Sequence, residues 1–148
     1  MLWELNPYGK VPVLVDGDAV VYESAIINEY VEEKYAEPRL MPKDLALRAK
    51  ARIWIDFCNT RLHGTAHDVL HGSEPEKARE TLRGYLRALD REMVSRDYIA
   101  GDYSLADITF IPFLARQQRY GIAIDSNLPH LKSWLDRLLS RPAVQSTL

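Results

Sequence analysis

The pair Glu23-Ser24 stands directly before an apolar run with helical spacing, and its two side chains could hold a ligand that carries both charges. A helix that begins here leaves backbone N–H groups without intrahelical partners, and these groups, together with the helix dipole, favour an anion. The Ser24 hydroxyl adds a donor, while the Glu23 carboxylate can face an ammonium group. We expect Ser24 to cap the helix, which is compatible with ligand binding; the alternative is that Ser24 only caps the helix and Glu23 is solvated.

A second pattern is a histidine stripe. His63, His67 and His71 recur every fourth residue, so they share one face of a predicted helix, with Asp68 beside them. This spacing could hold a metal ion. The stripe contains no Glu general base in the arrangement of the helical zinc proteases, and Gly64 lies within it. We therefore expect a solvated or interface face and assign no metal.

Cys58 is the single cysteine of the chain, which excludes an internal disulfide and fits a reducing, cytoplasmic compartment. It lies among Trp54, Phe57 and Leu62 in a predicted helix. A cysteine in such surroundings is typical of a small buried packing residue, and we expect that role in preference to a nucleophile.

Composition sets further bounds. The 148 residues are 47% hydrophobic and 27% charged, which is typical of a globular protein with a buried core. Nineteen basic and 21 acidic residues give a net charge of −2, which argues against a general nucleic-acid or membrane-surface binder. The first ten residues lack the pattern of a secretory signal, and no stretch reaches the roughly 20 apolar residues of a membrane span.

The elements that must position Glu23-Ser24 are a hairpin and a helix. Two β-rich runs, Val11 to Val15 and Ala19 to Tyr22, are joined through an Asp-Gly pair, which predicts a hairpin turn. The following helix is predicted to run to about Tyr35. Its expected inner face comprises Ile26, Ile27, Tyr30 and Val31.

Helical patterns fill the rest of the chain. One helix is predicted from Leu45 to about His71, and a second from Glu76 to about Ser95 with Leu82, Tyr85, Leu86 and Leu89 inward. Ser104 and Asp107 form a capping-box pattern at the start of a third helix, which contains Pro112. A last helix is predicted to begin near Pro129 and to stop before Arg141-Pro142.

Three separated motifs, in order, resemble the glutathione transferase family: "NPYGKVPVLVDGDAVVYES", "GDYSLADITFIPFL" and "RPAVQ". The resemblance implies a mostly α (α+β) fold, in which a truncated thioredoxin-like remnant precedes an all-helical bundle. The implied domains are residues 1–37, a linker over 38–44, and the helical domain over 45–148.

The resemblance also implies a glutathione site. Val11-Pro12 matches the cis-proline position of the family, where the Val11 backbone would pair with the cysteinyl backbone of glutathione. The alternative is a trans proline at the start of an edge strand. Glu23 and Ser24 match the pair that holds the γ-glutamyl end. Lys10 could approach the glycyl carboxylate, or it could simply be solvated.

The family carries its catalytic Tyr, Ser or Cys at the end of the first strand or the start of the first helix. The resemblance begins after that position, so we expect the first β-α-β part to be lacking and assign no catalytic residue. Tyr8 and Tyr22 lie near the predicted site, but neither matches the catalytic position. The implied reaction, if that part is supplied, is attack of glutathione thiolate on a small hydrophobic electrophile.

Two other interpretations remain open. "YESAIINEYVEEKY" followed by "PRLMP" is also similar to the stringent starvation protein branch of the family, whose members contact RNA polymerase without catalysis. The chain could instead be an inactive truncated product. A hairpin without central strands would expose Val13, Val15, Val20 and Ile27, which predicts a homodimer.

Overall fold

An antiparallel hairpin followed by a helix forms the first of two units in the structure, Met1–Met41, and the second unit is Pro42–Leu148. This computed structural model describes residues 2–35 and 37–147. The first unit has a one-turn helix, two strands and a longer helix: α1 Leu2–Leu5, β1 Val13–Asp16, β2 Ala19–Tyr22 and α2 Ser24–Lys34. The strands pair from Val13 opposite Tyr22 to Asp16 opposite Ala19. The predicted hairpin and helix are confirmed.

Strand β1 begins two residues later than predicted. The run of β-formers starts at Val11, but the ladder starts at Val13. Pro12 has no N–H to donate to a ladder, so pairing with β2 begins only beyond it. Helix α1, which lies before this region, was not predicted, because four residues are too few to show a period.

The predicted inner face of α2 is partly wrong. Ile26 is 56% exposed and Val31 is 42% exposed, while Ile27 and Tyr30 are half-buried. The buried residue of α2 is Glu32, whose carboxylate accepts the backbone N–H groups of residues 40 and 41 at 2.9–3.0 Å. A charged side chain of α2 therefore faces the segment around residues 40 and 41, because buried backbone N–H groups require an acceptor.

The second unit is helical. In chain order its elements are α3 Leu45–Asp56, a π-helical segment Phe57–Leu62, α4 His63–His71, α5 Pro75–Glu92, α6 Leu105–Ala115, a 3₁₀ turn Gln117–Tyr120, α7 Pro129–Leu139 and α8 Pro142–Gln145. Helix α4 packs along α5, α3 packs on α6, and α7 packs on both α5 and α6. The fold class is the predicted one, a hairpin-and-helix unit followed by a helical bundle.

The single long helix predicted from Leu45 to His71 is interrupted at its centre. The N–H of His63 donates to the carbonyl of Cys58, five residues back, which inserts one extra residue into the turn. The Thr60 hydroxyl, within this segment, donates to the carbonyl of Asp56, four residues back, at 2.7 Å. Periodicity alone does not show a one-residue insertion, because the apolar pattern continues on both sides of it.

The capping box of α6 is confirmed and forms the polar centre of the core. Asp107 is fully buried and accepts the N–H and the hydroxyl of Ser104 at 2.9 and 3.0 Å. It also accepts the N–H of Ile99 at 3.1 Å and the indole N–H of Trp134 at 2.9 Å. Burial raises the pKa of Asp107, and the four donors oppose that rise.

Apolar side chains pack around this centre. The predicted inward residues of α5 are confirmed, since Leu82, Leu86 and Leu89 are fully buried and Tyr85 is half-buried. Pro112 lies inside α6 as predicted. The largest buried rings of the second unit are Phe110, Phe113 and Trp134. No helix in the described part of the chain is long and apolar enough to cross a membrane.

Candidate functional site

The antiparallel register brings the predicted ligand-binding residues to one end of the hairpin. Val13 pairs with Tyr22, so Val11-Pro12 leads into β1 at the end where Glu23-Ser24 leads out of β2. Cα atoms of directly opposed residues in such a ladder are about 4.5–5.5 Å apart. Two segments separated by ten residues of sequence are therefore neighbours in space, and together they form a candidate site that we call the hairpin-end site.

Glu23 provides the sharp change of direction between strand and helix. Its φ is 70° and its ψ is 116°, in the left-handed range that non-glycine residues seldom adopt. Its carbonyl accepts the first helical bond, from the N–H of Ile27 at 2.9 Å. Glu23 thus occupies the N-cap position, and the N–H groups of Ser24 and Ala25 precede the first intrahelical bond.

The expectation that Ser24 caps α2 with its side chain is wrong. Ser24 is the first residue of the helix, and the N-cap residue before it makes no side-chain capping bond. Both Glu23 and Ser24 are exposed. Because the hydroxyl does not close the end of its own helix, it and the first N–H groups of α2 can meet a ligand together. Backbone strain of the kind seen at Glu23 is common at binding sites.

The Val11-Pro12 peptide bond is cis, as the resemblance implied. Val11 is 78% exposed, and its backbone takes no part in the ladder between β1 and β2. Its N–H and carbonyl thus lie at the hairpin end outside the strand pairing. A peptide-like ligand could form strand-type bonds with them.

Sequence reasoning missed Asn6, which shapes the loop that leads to this end. Asn6 is 1% exposed. Its side-chain N–H donates to the carbonyl of Lys10 at 2.7 Å, and its side-chain oxygen accepts the N–H of Tyr8 at 2.9 Å. Gly9 in this loop has a φ of 60° and lies directly against the ring of Trp3. The Asn-Pro pair was a turn signal that could have indicated this role.

The loop carries two further residues near the site. Lys10 is exposed and immediately precedes Val11. The ring of Tyr8 packs edge-on against that of Tyr22, the last residue of β2, with 5.6 Å between centroids. The aromatic pair therefore lies on the strand end from which Glu23 departs, and it holds the loop against the hairpin.

An ionic contact near the turn of the hairpin holds α2 in place. Tyr30 donates its hydroxyl to Asp16 at 2.9 Å, and Lys34 forms an ion pair with the same carboxylate. The hydrogen bond from Lys34, then that from Tyr30, lowers the pKa of Asp16. Asp16 ends β1, so this contact fixes the helix along the strands and with it the position of the helix start.

Cys58, in the second unit, has the packing role that we expected. It is fully buried, and its sulfur lies 3.6 Å from the carbonyl oxygen of Thr109. Burial raises the pKa of the Cys58 thiol to about 12. A thiol that stays protonated and has no access to solvent is neither a nucleophile nor a redox centre near neutral pH.

Comparison with known proteins decides the family. The profile described as "Glutathione S-transferase, C-terminal domain" matches residues 56–142, and "Glutathione S-transferase, N-terminal domain" matches residues 1–39. The chain belongs to the glutathione S-transferase family. It is 35% identical to "Glutathione S-transferase 3" of Zea mays, in an alignment that covers 97% of this chain and 72% of the maize protein.

Solved structures of family members have the same fold. A theta class glutathione S-transferase from Xanthomonas axonopodis pv. citri, solved with glutathione bound, matches with a TM-score of 0.86 and 29% identity. The match covers 97% of this chain and 74% of the Xanthomonas protein. Ure2p, solved in complex with glutathione, matches with a TM-score of 0.90 over 99% of this chain and 78% of its own. At 23% identity, this second likeness shows the fold alone.

Proposed function

We propose that this protein binds glutathione at the hairpin-end site and acts in the cytoplasm in the conjugation of glutathione thiolate to small hydrophobic electrophiles. The observation that carries the proposal is the hairpin register, in which Val13, directly after Val11-Pro12, lies opposite Tyr22, directly before Glu23-Ser24. Family membership and the glutathione-bound relative from Xanthomonas axonopodis pv. citri support the choice of ligand.

The γ-glutamyl end of glutathione carries an ammonium and a carboxylate on one carbon. The first N–H groups of α2 and the Ser24 hydroxyl are donors suited to the carboxylate, which the helix dipole also favours. The exposed Glu23 carboxylate, one residue earlier, suits the ammonium. A residue that suits a cation thus directly precedes one that suits an anion, and the ligand carries its ammonium and its carboxylate on the same carbon.

The middle and the far end of the tripeptide take the remaining contacts. The Val11 N–H and carbonyl, which lie outside the ladder, pair with the cysteinyl backbone next to Pro12. Lys10, which is exposed and immediately precedes Val11, is the residue that we propose for the glycyl carboxylate. Glutathione would thus extend along the chain from α2 toward the loop that Asn6 shapes.

The conjugation step forms a bond between sulfur and carbon. The thiolate supplies the electron pair, and the electrophile either gains a negative charge that is then protonated or loses a leaving group. A thiolate is required because the protonated thiol is a weak nucleophile. We assign none of the described residues to thiol activation, so the proposal for this chain concerns binding and positioning.

Calorimetry with glutathione tests the site. The purified protein is compared with a Glu23→Ala, Ser24→Ala double variant and with Glu33→Ala, which removes an exposed carboxylate at the other end of α2. We expect the double variant to lose binding and Glu33→Ala to retain it. Unchanged binding by the double variant would overturn the assigned site. A folded parent protein that binds no glutathione would overturn the function and favour a non-catalytic role of the RNA-polymerase-contacting kind.

We also infer a homodimer. Large apolar side chains are exposed on both units, among them Trp3, Val15 and Ile26 in the first and Leu45 and Ile53 in the second. Surfaces of this kind are typical of protein interfaces. Light scattering over a range of protein concentrations should give twice the mass of the 17.0 kDa chain. A monomer mass at every concentration would contradict the dimer.

A further inference from the structure

We propose that His67 and His71 form a transition-metal site on the exposed face of α4, independent of the hairpin-end site. Their imidazole rings are 4.9 Å apart between centroids. The two residues lie one helical turn apart, where side chains on the same face meet. Both are exposed, and the side chain of His67 is 71% accessible.

The ring separation is compatible with a shared metal ion. With metal–nitrogen bonds of about 2.0–2.1 Å, two ligating rings have centroids about 4.5 Å apart at a right angle and about 5.2 Å apart at the tetrahedral angle. The observed 4.9 Å lies between these two values. The distance between the rings therefore allows a nitrogen of each to bind one ion.

The surroundings of the pair favour a cation. The carboxylate of Asp68 lies 3.8 Å from Nδ1 of His67 and adds negative charge beside that ring. His71 is the last residue of α4, and the carbonyl end of a helix also favours positive charge.

The third histidine of the stripe is excluded from the site. The ring of His63 packs edge-on against Phe113, with 5.9 Å between centroids. Among the described residues, no group of three or more His, Cys, Asp or Glu side chains is placed to hold a metal. The ion would thus have two protein ligands and complete its coordination with water.

This ligand set selects the class of metal. Neutral imidazoles suit Cu²⁺, Ni²⁺ and Zn²⁺, and sites of this kind bind Cu²⁺ most tightly among the divalent first-row metals. Cu²⁺ is therefore the probe of choice, with Zn²⁺ as a weaker second.

Titration with CuCl₂, followed by calorimetry and electron paramagnetic resonance, tests the proposal. The chain has four histidines, which supply both the test variants and the controls. We expect one equivalent to bind with a two-nitrogen spectrum. Either His67→Gln or His71→Gln should weaken Cu²⁺ binding by at least about tenfold. The single imidazole that remains no longer has the affinity that two imidazoles gain by binding the same ion. His63→Gln and His130→Gln should leave the affinity for Cu²⁺ within about twofold of the parent protein, because both imidazoles of the proposed site remain.

Two results would overturn the proposal. One is equal binding by the parent protein and a His67→Gln, His71→Gln double variant. The other is a loss of binding in His63→Gln as large as that in His71→Gln. Because the substituted side chains at 67 and 71 are on the surface, the variants should fold, and circular dichroism checks this for each.

Discussion

Replacement of Asp107 by Ala should destabilise the helical unit severely, because one buried carboxylate serves four donors. The change leaves three N–H groups without an acceptor: the backbone groups of Ile99 and Ser104 and the indole of Trp134. A buried donor left unsatisfied costs about 1–3 kcal/mol. Near the lower end of that range, the three groups together give a loss of about 3–5 kcal/mol.

That loss is large on the scale of whole-protein stability, which is typically about 5–15 kcal/mol. Asp107→Asn keeps one oxygen acceptor, so two of the four bonds can persist and we expect about half of the loss. Urea unfolding followed by tryptophan fluorescence measures the difference, since Trp134 contacts the site directly. The midpoint should fall in the order parent, Asp107→Asn, Asp107→Ala.

Asp125 offers a matched control. Its carboxylate also accepts a backbone and a side-chain N–H, both from Asn127 at 2.9 Å, but it is exposed. Water can replace those bonds, so Asp125→Ala should cost at most about 0.5 kcal/mol. If Asp107→Ala and Asp125→Ala had equal midpoints, burial would not be what makes the Asp107 contacts matter, and the reasoning would fail.

Two further outcomes follow from the pKa shifts. Cys58, whose pKa is about 12, should resist a thiol reagent at pH 8 in the native protein and react at once in denaturant; rapid native labelling would contradict its burial. The hydrogen bond from Lys34 is the main cause of the lowered pKa of Asp16. The ion pair between them should therefore stabilise the fold at any pH above the ordinary pKa of an Asp side chain. This stabilisation should be lost as the pH falls through the lowered pKa of Asp16. The difference in unfolding midpoint between the parent protein and Lys34→Met should therefore shrink as the pH is lowered. A difference that grew at lower pH would contradict this pH dependence.

Features encoded within a few residues were predictable. The Asp-Gly turn joined the strands as predicted, and Ser104 and Asp107 formed their capping box, because both depend on neighbours along the chain. The start of α7 at Pro129 is a feature of the same kind. The cis form of the Val11-Pro12 bond came from the resemblance, since a lone X-Pro pair does not indicate it.

Features that depend on distant partners were not predictable. Ser24 was expected to cap its helix, but the left-handed turn at Glu23 made it the first helical residue instead. Glu32 lies outside the predicted inner face of α2, yet it is buried because residues 40 and 41 return to it. The exposed positions of Ile26 and Val31 have the same origin, since the apolar period of α2 does not say which elements are present to cover it.

The sequence by itself determined the family, the order of elements and the residue types of the candidate site, because motifs and turn signals are local. Only the tertiary structure decided which of those residues meet. The hairpin register brought Val13, which follows Val11-Pro12, opposite Tyr22, which precedes Glu23. The ring of His63 packed against Phe113, and Trp134 reached Asp107 across 27 residues. Such contacts depend on chain segments far apart in sequence, and their geometry is set by packing and hydrogen-bond satisfaction across the fold.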